Sequence, residues 1–253
     1  MKCLALAVLA LLSMPVFGQP ALKPIDQYGT TADNGITHGS ADAPLKLVEY
    51  FSPTCPHCKH FHDDANASLK AMIAQGKLRY EVRPLLLPHP HDAMLDVLIR
   101  CGTPKQGFAL ADIFFRRQDA MFAILQRAAK SKALVSSWEK MSTTALSLDF
   151  ATRLRVYTDT QRVGISTAQA HKCLMNDQNY LALGEIAAAA DQQRINGTPT
   201  FYINNALVDI PETGTFWTAV KAALETTPAS AQAAPSLATA PAPSLPQPRQ
   251  KGS

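Results

Sequence analysis

The sequence contains few cysteines, little excess charge and no long apolar segment. Five of the 253 residues are cysteine, too few for a disulfide scaffold that replaces a hydrophobic core. No stretch reaches the ~18 apolar residues that suggest a transmembrane helix. Aromatic residues make up 7% of the chain and charged residues 17%, whereas hydrophobic residues make up 47%. This composition excludes a disordered polyelectrolyte and predicts a sizeable packed core.

The net charge of +4 does not come from the body of the chain. Lys2 lies in the first segment, and Arg249 and Lys251 lie in the last, with no acidic residue in either segment. Without them, 21 basic residues face 20 acidic ones. A near-neutral body has no charge excess that attracts phosphate backbones, so we expect no nucleic-acid partner.

Residues 1–18 have the pattern of a secretory signal peptide. Lys2 provides the positive start, Leu4 to Leu12 form a short apolar run, and the segment ends in Val16-Phe17-Gly18. Such a segment predicts an exported protein, here a bacterial periplasmic one. An uncleaved N-terminal anchor is the alternative.

Residues 227–253 are predicted to form a disordered tail. Seven Ala and six Pro make up half of residues 228–253, with no aromatic residue and no acid. Such a segment cannot bury enough apolar surface to offset the entropy lost on ordering. A tether or a docking peptide is the alternative to a plain solvated tail.

The folded domain is predicted over residues 37–226, after an N-terminal extension at 19–36. A strand pattern at Leu45 to Phe51 is followed at once by Cys55-Pro-His-Cys58. A helical stripe then begins at Phe61 and ends before Gly76, and an extended pattern resumes over 77–87. The order is strand, cysteine pair, helix, strand, which is a βαβ unit.

The second half of the domain completes an α/β plan. The pattern is helical over about 92–195, which predicts a helical insertion. Thr200 to Ile203 and Ala206 to Ile210 then form two strand patterns around Asn204-Asn205, a type I′ hairpin signal. An amphipathic helix at Thr215 to Leu224 closes the domain.

The Cys55-Pro-His-Cys58 segment carries the strongest chemical signal. Cys55 falls at a helix start, where unpaired N–H groups and the helix dipole favour a thiolate. Cys58 shares the stripe of Phe61 and is expected to face the core while Cys55 stays accessible. One reactive thiol beside a resolving thiol is what thiol–disulfide exchange requires.

Three other interpretations of this pair remain open. The first is a structural disulfide, and the second is two unrelated free thiols. The third is a zinc site that recruits His60 or His62, although no second cysteine pair nearby would complete four ligands.

The chain resembles the DsbA-type branch of the thioredoxin-fold disulfide oxidoreductases over about residues 37–226. The matching segments are Ala41-Asp-Ala-Pro44, Val48-Glu-Tyr-Phe-Ser-Pro-Thr-Cys-Pro-His-Cys58, the helical insertion and Gly197-Thr-Pro-Thr-Phe201. The resemblance implies a thioredoxin fold with an inserted helical domain. An ordinary edge residue remains the alternative for Pro199.

The resemblance also assigns roles to individual residues. Cys55 corresponds to the nucleophilic cysteine, Cys58 to the resolving one, and Pro199 to a cis-proline that faces them. Glu49 matches an acidic residue beneath the disulfide, although a partly exposed strand residue is its alternative. Two further positions support the centre: Thr198 would align an extended substrate, and His57 would help to stabilise the Cys55 thiolate.

Cys101 and Cys173 are predicted to form a structural disulfide. They flank the helical insertion, and an even remainder of two cysteines in an oxidising compartment favours a bridge. Closing so long a loop contributes about 4 kcal/mol in the chain-entropy model. Relatives with such insertions carry a comparable pair. Two buried free thiols are the alternative.

The expected function is the introduction of disulfides into reduced or unfolded exported proteins. The resemblance implies a quinone-linked membrane oxidase that regenerates the disulfide; we expect a monomer that needs neither a cofactor nor a metal. A periplasmic reductase or isomerase could use the same residues. A metal carrier or non-enzymatic binding module is the alternative of another class. His89 and His91 are predicted to be loop residues without a role.

Overall fold

The computed structural model describes residues 23–228, in which six strands form one sheet. The strands are β1 (Tyr28–Thr30), β2 (Ile36–His38), β3 (Leu45–Phe51), β4 (Leu78–Pro84), β5 (Thr200–Ile203) and β6 (Ala206–Leu207). Their order across the sheet is β1-β2-β4-β3-β5-β6; β3 and β4 are parallel, and all other neighbours are antiparallel. The predicted signal peptide and almost all of the predicted tail lie outside the described residues.

The predicted βαβ unit is confirmed by β3, helix α1 (Pro56–Ala74) and β4. Cys55 is the N-cap of α1, and Pro56 occupies the first turn, where its missing N–H leaves no bond unmade. One helical stripe buries Cys58 together with Phe61 and the apolar residues that follow it. Gly76, with φ of +70°, ends the helix in the left-handed region that favours glycine.

The helical insertion connects β4 to β5, as predicted. It contains seven helices: α2 (Pro90–Ile99), α3 (Pro104–Ala128), α4 (Lys132–Trp138), α5 (Thr143–Arg153), α6 (Val156–Arg162), α7 (Thr167–Leu174) and α8 (Asp177–Gln192). The predicted hairpin also forms: Asn204 and Asn205 both have positive φ, as a type I′ turn requires. Helix α9 (Phe216–Thr226) closes the domain.

The sequence predicted no strand before Leu45, yet the structure has two there. β1 pairs with β2, and β2 pairs with β4, so residues from the predicted N-terminal extension complete one side of the sheet. All three residues of β2 are buried. A strand buried on both faces shows no alternation, which is why the sequence pattern did not reveal it.

Separate core clusters lie on the sheet. One joins α1, α9 and the sheet through Leu47, Phe61 and Phe201. The largest is built mainly by the insertion, and it also contains Cys55 and Cys58. The cysteine pair therefore lies where the insertion packs onto the βαβ unit. Within residues 23–228, no helix is both long enough and apolar enough to cross a membrane.

Candidate active site

Cys55 lies at the N-terminus of α1 and is held from two sides. The backbone N–H of Cys58 donates to Cys55 Sγ over 3.4 Å, as expected of an N-cap residue. From the other side, the Cys55 thiol donates to the carbonyl oxygen of Thr198 over 3.3 Å. The sulfur therefore lies between the start of α1 and the loop that precedes β5.

The prediction that Cys55 stays accessible is wrong. Residue 55 is only 3% exposed and residue 58 is 0% exposed, so both cysteines are buried. The helical insertion packs against the cysteine pair, and the Thr198 loop contacts the sulfur from 143 positions along the chain. The predicted orientation of Cys58 into the core is confirmed.

The two thiols differ strongly in acidity. The hydrogen bond from the Cys58 thiol lowers the pKa of Cys55 to about 6, despite the opposing effect of burial. The backbone N–H groups of Cys58 and His57 lower this pKa further. Burial raises the pKa of Cys58 well above its usual value, and its hydrogen bond to Cys55 and the Glu49 charge act in the same direction. At neutral pH the pair is one thiolate beside one thiol.

Glu49 lies beneath the cysteines on β3 and is 3% exposed. The Tyr80 hydroxyl of β4 donates to Glu49 Oε2. Burial raises the pKa of Glu49 to about 8; the Tyr80 hydrogen bond lowers it and the Cys55 charge raises it. Glu49 is therefore a buried, mostly neutral carboxyl group at pH 7. The alternative interpretation of Glu49 as a partly exposed strand residue is therefore wrong.

A cavity of about 170 Å³ leads away from this carboxyl group. The residues that line it include Glu49 and Tyr80 as well as His62, Lys70 and Asp112. Lys70 and Asp112 form an ion pair with N···O of 3.2 Å, and both are partly exposed. The cavity thus joins the buried acid to the polar surface between α1 and α3.

His57 lies between the cysteines in sequence, but its ring points elsewhere. The residue is exposed, and the imidazole lies 5.5 Å from the Phe216 ring, centroid to centroid. Its backbone N–H, rather than its side chain, is among the groups that lower the Cys55 pKa. The predicted effect of the imidazole on the thiolate thus stays a prediction.

Pro199 follows a cis peptide bond from Thr198, as the resemblance implied. Thr198 Oγ1 is buried and has no hydrogen-bond partner within the described part of the chain. A cleft of about 490 Å³ adjoins this loop, with Ile195, Pro199 and Ile210 among its lining residues. This cleft could hold an extended chain close to the sulfur.

Cys101 and Cys173 form the predicted disulfide. Cys101 follows α2, and Cys173 lies in α7, so the bond joins two helices of the insertion. The alternative of two free thiols at these positions does not hold.

The structure bears on the predictions for His89, His91 and a bound metal. His91 is not in a loop: it lies in α2, where it is 8% exposed between the rings of Phe122 and Phe150. His89 is the N-cap of the same helix. As for metals, no three His, Cys, Asp or Glu side chains are arranged to hold an ion among residues 23–228.

Sequence reasoning missed two side chains of the insertion that contact the segment before Cys55. Gln118 of α3 donates to the carbonyl oxygens of Pro53 and Cys55. Asp92 of α2 accepts from the Ser52 hydroxyl. Gln118 is 63 positions from Cys55, and no local pattern signals a contact over that separation.

Comparison with known proteins points to one family. A family model described as thioredoxin matches residues 31–225. A Rickettsia conorii protein, provisionally named a protein-disulfide oxidoreductase, is 27% identical over 209 residues, which cover 81% of this chain and 66% of that protein. This chain thus spans just under two thirds of the length of that curated relative.

Solved structures agree with this match. The crystal structure of a protein-disulfide isomerase from Novosphingobium aromaticivorans has a TM-score of 0.66 and 28% identity, covering 77% of this chain and 99% of that one. Wolbachia pipientis alpha-DsbA1 shares the fold, with a TM-score of 0.54, 20% identity, and coverage of 78% and 92%.

Proposed function

The chain belongs to the thioredoxin family, and we propose that it is a periplasmic thiol:disulfide oxidoreductase that introduces disulfides into exported proteins. One observation carries the proposal: a thiolate-forming Cys55 lies beside a protonated Cys58 and above a buried neutral acid. A cysteine with a lowered pKa beside a cysteine with a raised pKa is what directional disulfide exchange needs.

The proposed reaction starts from the Cys55–Cys58 disulfide. A substrate thiolate attacks Cys55 Sγ, a mixed disulfide forms, and Cys58 leaves with the electron pair. Glu49, neutral at pH 7, supplies the proton that Cys58 takes up. The second substrate thiolate then attacks the substrate sulfur of the mixed disulfide and expels Cys55 as a thiolate. Two substrate thiols are oxidised to a disulfide, and this chain is reduced to the dithiol.

Regeneration reverses these steps against another disulfide. The Cys55 thiolate attacks the disulfide of an oxidising partner, and Glu49 takes the Cys58 proton while Cys58 resolves the mixed disulfide. By family resemblance we propose a quinone-linked membrane oxidase as that partner, with this chain acting as a monomer.

Substrates would bind beside the cis-proline loop. Thr198 can pair with an extended backbone, whereas Pro199 has no N–H to donate. The adjoining cleft is open and partly apolar, which suits an unfolded chain better than a folded partner.

A reductase or isomerase role is the second candidate. The solved structure named a protein-disulfide isomerase, 99% of which the match covers, supports it. So does Thr198, because the family resemblance implies that Thr also precedes the cis-proline in the isomerase branch. Cys55, Cys58 and Glu49 would then act in the opposite redox direction.

The equilibrium of the cysteine pair with a glutathione redox buffer tests the proposal. We expect the disulfide to be reduced more easily than that of thioredoxin, whose potential is about −270 mV. A disulfide as hard to reduce as that of thioredoxin would favour the reductase instead. A Cys55→Ala chain is the control, since it should show no equilibrium at all.

The periplasmic location rests on the signal-like residues 1–18 and on the Cys101–Cys173 disulfide, a bond that persists in oxidising compartments. Mass spectrometry of the chain from a periplasmic fraction should show a new N-terminus after Gly18. Recovery of the uncleaved chain with membranes would favour the anchor.

A further inference from the structure

We propose that the helical insertion positions the nucleophilic cysteine: Gln118 and Asp92 clamp the turn Ser52–Cys55 from two helices, and Gln118 is the decisive positioning residue. The inference deepens the proposed function and rests on it, because it assigns the insertion a part in setting the reactivity of Cys55.

The Gln118 side of the clamp acts on carbonyl oxygens. Its Nε2 donates to Pro53 O over 2.9 Å and to Cys55 O over 3.1 Å. Gln118 is 1% exposed, so both bonds lie away from solvent. A buried amide that donates to two carbonyl groups on either side of Thr54 fixes the backbone leading into Cys55. Without it, Pro53 O loses the hydrogen bond from Gln118, and Cys55 O keeps only the one from Lys59 N–H, which spans 3.2 Å.

The Asp92 side of the clamp acts on hydroxyl groups. Asp92 Oδ1 accepts from Ser52 Oγ over 2.6 Å and from Thr54 Oγ1 over 2.8 Å. Its second oxygen, Oδ2, accepts from the backbone N–H of Leu87 over 2.7 Å. Asp92 is 0% exposed, so this carboxyl group joins the turn, the β4–α2 connection and α2 in one buried network.

The turn adds bonds of its own. Thr54 N–H donates to Ser52 Oγ over 3.0 Å, and Cys55 N–H donates to Ser52 O over 3.1 Å. The backbone on the N-terminal side of the nucleophile is therefore fixed by the insertion and by bonds within the turn, while Cys55 Sγ contacts the cis-proline loop.

The position of this turn matters because it sets where Cys55 Sγ lies against the first turn of α1. Cys58 N–H donates to Cys55 Sγ over 3.4 Å, and such a hydrogen bond weakens as its length and angle depart from the preferred geometry. The benefit of a helix terminus also fades within one turn. In addition, the Gln118 amide places its positive end on Cys55 O. Without the amide, this carbonyl would keep only the hydrogen bond from Lys59 N–H, so the negative end of its dipole near the sulfur would be less neutralised.

Several titratable groups face the sulfur or its turn. They are Cys58 on α1, Glu49 on β3 and Asp92 on α2, with the exposed His57 beside them. Gln118 carries no charge, so replacing it changes none of these charges directly. Its replacement therefore tests position and hydrogen bonding alone.

The test compares Gln118→Met with Met121→Leu in the full chain. Met has nearly the length of Gln without its donors, and Met121 is a buried neighbour on α3 that offers no hydrogen-bond donor to the turn. We expect Gln118→Met to raise the Cys55 pKa and to shift the glutathione equilibrium toward the disulfide by roughly threefold to tenfold. Met121→Leu should leave both unchanged, even if it lowers the melting temperature.

Thr54→Val provides a second variant if Gln118→Met does not fold. It removes one hydroxyl of the Asp92 network and preserves side-chain volume, and we expect a smaller shift in the same direction. An unchanged Cys55 pKa in both variants, or an equal change in Met121→Leu, would overturn the inference. If the unmodified chain shows no exchange with glutathione, the proposed function itself fails, and that outcome is distinct from the first.

Discussion

At the scale of single residues, the two cysteines differ in acidity although both are buried. Because Cys55 has the lowered pKa and Cys58 the raised one, Cys55 should carry the mixed disulfide. Cys58→Ala should therefore trap substrate adducts that Cys55→Ala does not, as non-reducing gels of the exported proteome can show. Equal trapping by both variants would contradict the assignment, and a chain lacking both cysteines gives the background.

Glu49 should impose a stability cost that depends on pH. Its pKa is about 8 in the folded chain, against 4.5 for an ordinary glutamate, so folding favours the protonated form. Stability is thus highest below pH 4.5 and falls as the pH rises toward 8. At pH 7 the cost is on the order of 3 kcal/mol.

Glu49→Gln should therefore raise the melting temperature at pH 7–8 while it slows turnover, because Gln keeps an acceptor for Tyr80 but cannot exchange the Cys58 proton. Melting curves of the reduced chain from pH 4 to 9 measure the first effect. The gain should disappear near pH 4, and the exposed Glu225→Gln should show no gain at any pH. A Glu49→Gln chain that turns over at the normal rate would remove Glu49 from the mechanism.

At the scale of elements, the Cys101–Cys173 bridge should stabilise the insertion without taking part in catalysis. The bridge follows the C-terminus of α2, whereas Asp92 contacts the active-site turn near its N-terminus, roughly 13 Å away along the helix. Replacing both cysteines with Ala should cost up to about 4 kcal/mol of unfolding free energy. Melting temperature should fall far more than the rate of disulfide transfer; a parallel loss of rate at permissive temperature would refute this separation.

The elements that the sequence predicted well are those with a local signal. The stripe of Phe61, Ala65, Leu69 and Met72 predicts α1, and Asn204-Asn205 predicts the hairpin. The three-residue strands β1 and β2 have no such signal, because two or three residues cannot display a period. Gln118 was missed for a related reason: its hydrogen bonds depend on how a 25-residue helix packs across the sheet.

The burial of Cys55 shows the same limit at the active site. The start of α1 is local and could be predicted, together with its effect on a thiolate. The Thr198 carbonyl oxygen that contacts the sulfur belongs to the loop that follows the insertion. The sequence therefore predicted that this loop lies near the cysteines, but it did not predict that the loop covers the Cys55 sulfur. The identity of the reactive cysteine was thus predictable from the sequence, and its solvent exposure was not.

At the scale of the whole molecule, the redox direction should appear as a difference in stability. The Cys55 pKa is lowered from 9.0 in the free group to about 6 in the folded chain. A lowered pKa stabilises the folded dithiol form above pH 6, by on the order of 1 kcal/mol at pH 7. The disulfide form has no thiolate and gains nothing from the helix terminus. The reduced chain should therefore be the more stable one.

The corresponding measurement is thermal unfolding of the reduced and oxidised chains side by side between pH 5 and 8. We expect the reduced chain to melt higher at pH 7 and the difference to shrink as the pH falls through about 6, where Cys55 takes up its proton. Because Cys58 stays protonated over this range, it does not contribute to the trend. The same free-energy difference drives electrons from substrate thiols into this chain, so it should oxidise a reduced, unfolded protein faster than it reduces insulin. If the oxidised chain melts higher at pH 7 and Cys55 ionises near pH 8, the thiolate is not stabilised by the fold, and the reductase becomes the better description.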